Sequence, residues 1–268
     1  MSVSNLTFET LNLHVSDGLA ELTLNRPDAF NAMNRKMVVE LREFFGALNH
    51  SPDIRVVVLA GAGRHFCAGL DIKESAGSDQ AMTVSSQLDR QRHFAELYLA
   101  MRRCPQPIIS KIQGAASGGG FALALASDVR ILTPNAKLNA AFIKLGLSGC
   151  DMGLSYFLPR LLGIGIASEL LLTGRFLTAE RAERLGLAST VVSPELLDSE
   201  ALGFASDMLA ATPLGLRLTK DVLNQTMECA GLEAVMALED RNQMLALQDE
   251  NFREGMAAFL EKRAPRYV

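Results

Sequence analysis

A chain of 268 residues, 49% of them hydrophobic, is long enough to bury a substantial core as one large domain or two smaller ones. The formal net charge of −4, with no cluster of Lys or Arg, argues against nucleic acid or an anionic membrane as the main partner. Four dispersed cysteines without a C-x-x-C pair, and four scattered histidines, predict free thiols in a reducing compartment and no metal site.

Residues 19–24 (Leu-Ala-Glu-Leu-Thr-Leu) alternate as a half-buried strand, which Asn25-Arg26-Pro27-Asp28 breaks. From Met33 to Leu48, the residues Met37, Val38, Leu41, Phe44, Phe45 and Leu48 fall at helical spacing and predict an amphipathic helix. Ile54 to Ala60 reads as a β-branched strand buried on both faces, ending in Gly61-Ala62-Gly63 and a long loop through Lys73. A helix is predicted from Ser78 to Arg103, stopped by Cys104-Pro105-Gln106-Pro107. The apolar strand Pro107 to Ile112 then runs into Gly118-Gly119-Gly120 and a helix of small residues. A strand follows at Asp128 to Leu132, then a loop over 139–153 and short helices around 154–172. Thr178 is placed to cap a helix closed by Gly186, with an apolar strand fragment Ala188 to Val192 beyond it. From Pro194 to Phe259 the pattern is helical almost throughout, and no fixed-period repeat is visible. The expected division is a mixed α/β core over residues 1–193 and a helical region over 194–268.

Three glycines at a helix start leave backbone N–H groups bare at the positive end of the helix dipole, which suits a group that is or becomes negative. The same turn also serves close helix–strand packing with no ligand. Neither glycine-rich segment fits a nucleotide motif, because G-x-x-x-x-G-K-[ST] is absent and no G-x-G-x-x-G bridges a strand and a helix with an acid at the right distance. The loop Phe66-Cys67-Ala68-Gly69-Leu70-Asp71 follows a strand end just as the triplet does, and two such loops converge at one edge of a sheet. One N–H from each would bracket a single oxygen, with Ala68, Gly69 and Gly119 small enough to let a ligand approach the backbone.

Phe66-Cys67-Ala68-Gly69-Leu70-Asp71-Ile72-Lys73-Glu74, together with Gly114-x-x-x-Gly118-Gly119-Gly120, resembles the crotonase (enoyl-CoA hydratase/isomerase) superfamily. Asn25-Arg26-Pro27 with Asn31-Ala32-Met33, then Ser127-Asp128-Val129-Arg130-Ile131, are similar as well. So are Ala182-x-x-x-Gly186-Leu187-Ala188-x-x-Val191-Val192 and the tail Glu254-Gly255-Met256-x-x-Phe259-x-x-Lys262-Arg263, so the likeness spans nearly the whole chain. It implies a spiral of strand–strand–helix (ββα) units with a C-terminal helical region, assembled as a homotrimer or a dimer of trimers. The implied ligand is an acyl-CoA thioester, with coenzyme A as part of the substrate and no metal or redox cofactor. By position, Ala68 and Gly119 would donate to the thioester oxygen, in bonds that strengthen as an enolate forms. Ala29, Leu70, Asp71 and Ile72 would line the adenosine and pantetheine path. Phe259 and Lys262 would meet the CoA, across a subunit boundary in many members. Lys73 reads equally as a phosphate neighbour or a solvated surface lysine.

The two positions where hydratases of this family carry glutamates read Ala122 and Phe142, and neither side chain carries a proton. These two residues are expected to shape an apolar acyl pocket. Asp151 is left as the single acid/base, matching in position an aspartate of dienoyl-CoA isomerases and of the chlorobenzoyl-CoA dehalogenase. It also reads as a simple helix N-cap. Cys67 and Cys150 flank the site but have no histidine beside them in sequence, and His65 and His93 read as surface or packing residues. Enolate chemistry is expected, double-bond isomerisation or hydration, with proton shuffling at carbon favoured over plain hydration. Thioester or carbon–carbon hydrolysis, or silent acyl-CoA binding, are the alternatives. The stretch around 112–127 is too short and small-sided to span a membrane, and residues 1–12 lack the basic start and apolar core of a signal peptide, so a cytoplasmic protein is expected.

Overall fold

A computed structural model describes residues 2–76, 83–229 and 231–267. A hairpin opens the fold, β1 (Leu11–Ser16) turning into β2 (Leu19–Leu24) through Asp17 and Gly18, both at positive φ as a tight hairpin turn requires. Helix α1 (Arg35–Ala47) starts where the Asn34 side chain accepts the Met37 N–H at 2.9 Å. Its apolar stripe of Met37, Val38, Leu41, Phe44 and Phe45 is fully buried, at about 1.5–3 kcal/mol for each large side chain. Next come β3 (Val56–Gly61), α2 (Ile72–Ala76) and α3 (Val84–Arg103), so the helix start expected at Ser78 lies outside the described residues. The chain continues through β4 (Ile108–Ile112), β5 (Ala115–Ser117), α4 (Gly119–Ala126), β6 (Val129–Leu132) and β7 (Lys137–Asn139). It then forms α5 (Leu154–Leu162), α6 (Ile164–Thr173), β8 (Leu177–Thr178), α7 (Ala179–Arg184) and β9 (Thr190–Val191). Helices α8 (Leu197–Leu209), α9 (Pro213–Thr226), α10 (Leu232–Leu247) and α11 (Glu250–Glu261) complete it.

Successive turns of the chain lay one strand in each of two sheets. The larger has the order β1-β2-β3-β4-β6-β9, parallel except for the first pair, and the smaller has the order β5-β7-β8. All six residues of β3 are buried, as expected for a strand covered on both faces. On one face Leu22, Leu59 and Ile112 meet α1 and α4; on the other Val56, Val58, Ile109 and Ile131 meet Leu197, Ala201 and Ala205 of α8.

That second face corrects the division expected at 193/194. Helix α8 completes the core, and α9 is tied to it as well, since Lys220 Nζ lies 3.0 Å from Asp128 Oδ2 and donates to the Gln106 carbonyl at 2.6 Å. The helices that stand away from the sheets are α10 and α11, which expose Leu232, Met236, Met244, Phe259 and Leu260. Among the described residues, no helix is long and apolar enough to cross a membrane.

Candidate active site

Two loops meet at the edge where β3 and β4 end. Cys67 N–H donates to the Ala115 carbonyl and Ser117 N–H to the Cys67 carbonyl, both at 3.0 Å, so the loops are stitched together. Glycine is required at the seam. A Cβ on Gly120 would sit 2.1 Å from the Cys67 carbonyl oxygen. One on Gly69, which has φ +99°, would sit 2.7 Å from the Ser117 oxygen and 3.5 Å from the Gly119 nitrogen. The 69–70 segment therefore lies directly against the start of α4.

The N–H groups at this seam differ from expectation. Ala68 N–H donates to the Phe30 carbonyl at 3.0 Å, so the residue predicted as one donor is already engaged. Two residues on, the Met33 N–H donates to the Gly69 carbonyl and the Asp71 N–H to the Met33 carbonyl, which turns the intervening Leu70 N–H away from that pairing. Among the described residues, the Leu70 and Gly119 N–H groups have no acceptor. The bare pair is thus Leu70 and Gly119, and Ala68 is a structural residue at the neck of the loop.

Asp151 lies in the loop before α5. Met152 and Gly153 both take positive φ, +50° and +85°, and α5 begins at Leu154 behind Gly153 with no side-chain cap. Met152 is strained there, since a residue with a Cβ seldom adopts that region. Asp151 is therefore not the N-cap its sequence position allowed. Its Oδ1 accepts the Met152 N–H at 2.7 Å and the Gln91 amide at 2.6 Å. Among the described residues, Oδ2 has no hydrogen-bond partner. Burial raises the Asp151 pKa, the two donated bonds opposing it, so the carboxyl is more basic than an ordinary aspartate.

Tyr98 lies between the start of α4 and the loop that carries Asp151. Its hydroxyl lies within reach of the Gly119 carbonyl and of Met152 Sδ, 3.1 Å from each, and burial drives its pKa well above the ordinary phenol value. A cavity of about 970 Å³ opens beyond Tyr98 and Met152, between α3, α5 and α9, with Leu99, Phe157, Leu218 and Met227 among its apolar lining. Gln91 and Tyr98 escaped the sequence reading because a half-polar helix carries no mark of which residues turn inward. In hindsight their spacing of seven, two helical turns, puts them on one face of α3.

The other expected site residues fall into three groups. Ala29, Leu70, Asp71 and Ile72 are brought to one place by the Met33–Leu70 pairing and by Arg26, whose guanidinium meets Asp71 Oδ2 at 2.9 Å. Asp71 Oδ1 also accepts the Lys73 and Glu74 N–H groups at the start of α2. Although burial alone would raise its pKa, these partners hold it below the usual range, so Asp71 organises the loop. Ala122 and Phe142 are both buried, and the Phe142 ring would lie 3.2 Å from a Cβ on Gly118. They pack behind the glycine turn, as apolar residues that carry no proton at this end of the site. Phe259 and Lys262 are exposed on and after α11, Phe259 to 80%.

Cys67 is sealed in the core, and burial pushes its thiol up to about 12, which removes it as a nucleophile. His65 Nδ1 accepts the Ala115 N–H at 3.1 Å and so packs the seam. Among the described residues, no group of three or more His, Cys, Asp or Glu is placed to hold a metal ion.

Spiral strand–strand–helix turns, with loops meeting above a buried glycine-led helix, define the crotonase fold. The model of the family described as enoyl-CoA hydratase/isomerase matches residues 14–268. A probable enoyl-CoA hydratase of Mycobacterium tuberculosis, EchA12, is 39% identical over 260 residues, covering 95% of this chain and 91% of its own length. The 1,2-epoxyphenylacetyl-CoA isomerase of Escherichia coli is 35% identical over 255 residues, covering 95% of this chain and 97% of its own. The crystal structure of an enoyl-CoA hydratase from Bacillus anthracis superposes with a TM-score of 0.91 at 31% identity, covering 97% of this chain and 99% of that one. The chain belongs to the enoyl-CoA hydratase/isomerase family, and it is an enzyme of acyl-CoA chemistry.

Proposed function

We propose that this enzyme moves a proton between carbons of an enoyl-CoA, with Asp151 as its acid/base and the Leu70 and Gly119 N–H groups as its oxyanion hole. Removing a proton next to a thioester carbonyl places negative charge on the carbonyl oxygen. Two fixed N–H groups at that oxygen bind the enolate better than the neutral thioester, which lowers the barrier. The observation that carries the assignment is the state of Asp151: half-buried, more basic than usual, fixed through Oδ1 and bare at Oδ2. Such a carboxylate takes a proton from one carbon and returns it to another. A hydration would need a second group to hold and deprotonate water, and Ala122 and Phe142 offer none. The isomerase named among the relatives supports the same direction. The acyl group would extend past Tyr98 and Met152 into the cavity. The substrate itself brings the coenzyme A, and no redox cofactor enters the scheme.

The exposed apolar residues of α10 and α11 support a homotrimer or a dimer of trimers, with Phe259 and Lys262 reaching a neighbouring subunit's CoA. The test of the catalytic assignment is incubation with 3-enoyl-CoA, dienoyl-CoA and crotonyl-CoA, read by mass and by thiol release. The expected result is a shifted double bond at unchanged mass, reduced at least 10²-fold in Asp151→Asn. A gain of one water from crotonyl-CoA that survives Asp151→Asn would overturn it, as would thiol release dependent on Asp151.

A further inference from the structure

Asp151 sits on a loop, and a loop carboxylate needs fixing from outside to present one oxygen to a substrate. The Gln91 side chain reaches it from the adjoining face of α3, its amide nitrogen 2.6 Å from Oδ1. The Met152 N–H meets the same oxygen from the other side at 2.7 Å. An oxygen that accepts two N–H bonds is a poor place for a proton, since protonation would set a third hydrogen against two donors. Oδ2 carries no such load among the described residues.

We propose that Gln91 is a positioning residue for Asp151: with the Met152 N–H it occupies Oδ1 and leaves Oδ2 as the oxygen that takes and returns the proton. This rests on the role of Asp151 proposed above. The surroundings leave the amide in control. The ionisable neighbour on α3 is the Tyr98 phenol, which senses Asp151 and Cys67 and stays neutral because burial drives its pKa far up. The neighbouring thiol in the loop is Cys150, which is exposed. Among the described residues, no Lys, Arg, Asp or Glu acts on Asp151, whose pKa answers to burial, then to the Met152 N–H, then to Gln91. Glutamine also brings no charge of its own, so it fixes the carboxylate without holding it permanently ionised.

The test is a carbon-13 NMR titration of the Asp151 carboxyl in the full-length protein, in the parent and in Gln91→Leu, alongside the pH profile of isomerisation. Loss of one hydrogen bond to the ionised form raises the Asp151 midpoint by about 1 unit. Gln91→Glu, which sets a like charge beside it, raises it further. The acid limb of kcat/KM moves upward with the midpoint while the thermal midpoint stays put, a signature that a merely structural glutamine would not give. An Asp151 titration unmoved in both folded variants would overturn the proposal. A titration that moves while the rate profile does not would uphold the Gln91–Asp151 coupling and overturn the catalytic role given to Asp151, so the two failures are distinguishable.

Discussion

At the scale of residues, the seam between the two loops shows why particular glycines stand where they do. Only Gly118 of the triplet takes a positive φ, +51°; Gly119 and Gly120 are there for lack of room. A Cβ on Gly119 would meet Met33 Cε and the Tyr98 hydroxyl, and one on Gly120 would meet a carbonyl oxygen. Gly120→Ala is accordingly expected to cost about 2–3 kcal/mol and to lower the thermal midpoint, because backbone and not a flexible tip must yield. An unchanged midpoint would show that the loops are not in contact. The motif made the glycine turn legible. Which N–H group faces the open side was not, because the pairing of residues 68–71 decides between Ala68 and Leu70, and that pairing is set by Phe30 and Met33 from a distant part of the chain. Asp151 stood out by elimination, while its restraint by Gln91 is a contact across 60 positions that no local pattern records.

At the scale of elements, long periodic segments were the easiest to read. The strand at 19–24, the helix through Phe44 and Phe45, and the buried strand ending at Gly61 stand where periodicity put them. Helix α2 stands where the end of a long loop through Lys73 was expected, and the strands not foreseen are β1, β5, β7 and β8. The first buries little besides Leu11 and lies at the edge of its sheet, and the others are two or three residues long, created by pairing with neighbours more than by their own pattern. Helix α8 looked like part of a helical appendage because its Ala and Leu stripe says only that it packs, not against what. Polar clusters bind these elements together. Arg130 donates to the Ser127 and Leu187 carbonyls and closes the end of α4. Asp128 accepts from Ile108 N–H, Arg102 and Lys220, joining β4, α3 and α9.

Lys220→Ala is expected to cost about 3 kcal/mol in chemical denaturation, because it leaves a largely buried carboxylate with half its counter-charge. Burial would raise the Asp128 pKa, but Lys220 and Arg102 outweigh it and hold the group low. A depressed folded pKa stabilises above the unfolded value near 4 and is lost as pH falls through and below it. The variant should thus lose most at neutral pH and less in acid. A uniform loss across pH would contradict the assignment.

At the scale of the whole molecule, the likeness to one family was legible across nearly the full chain because its motifs sit at loops and caps that the fold needs. The spiral brings residues 66–71 and 118–120 together, and then sets Met152, next to Asp151, against Gly119 from a third turn, so the site is a product of winding rather than of any single segment. The apolar faces of α10 and α11 are expected to be covered by copies of this chain, and sedimentation equilibrium should return the mass of three or six chains. A monomer at micromolar concentration would contradict that expectation.

The central claim, that Asp151 alone shuttles a proton beside an enolate held by Leu70 and Gly119, is tested most directly by running the isomerisation of a 3-enoyl-CoA in deuterium oxide and following the label by proton NMR. The expected result is a shifted double bond with label entering only at the carbons that exchange protons, and loss of both shift and exchange in Asp151→Asn, which still binds the acyl-CoA. Isomerisation or exchange persisting at parental rate in Asp151→Asn would contradict it.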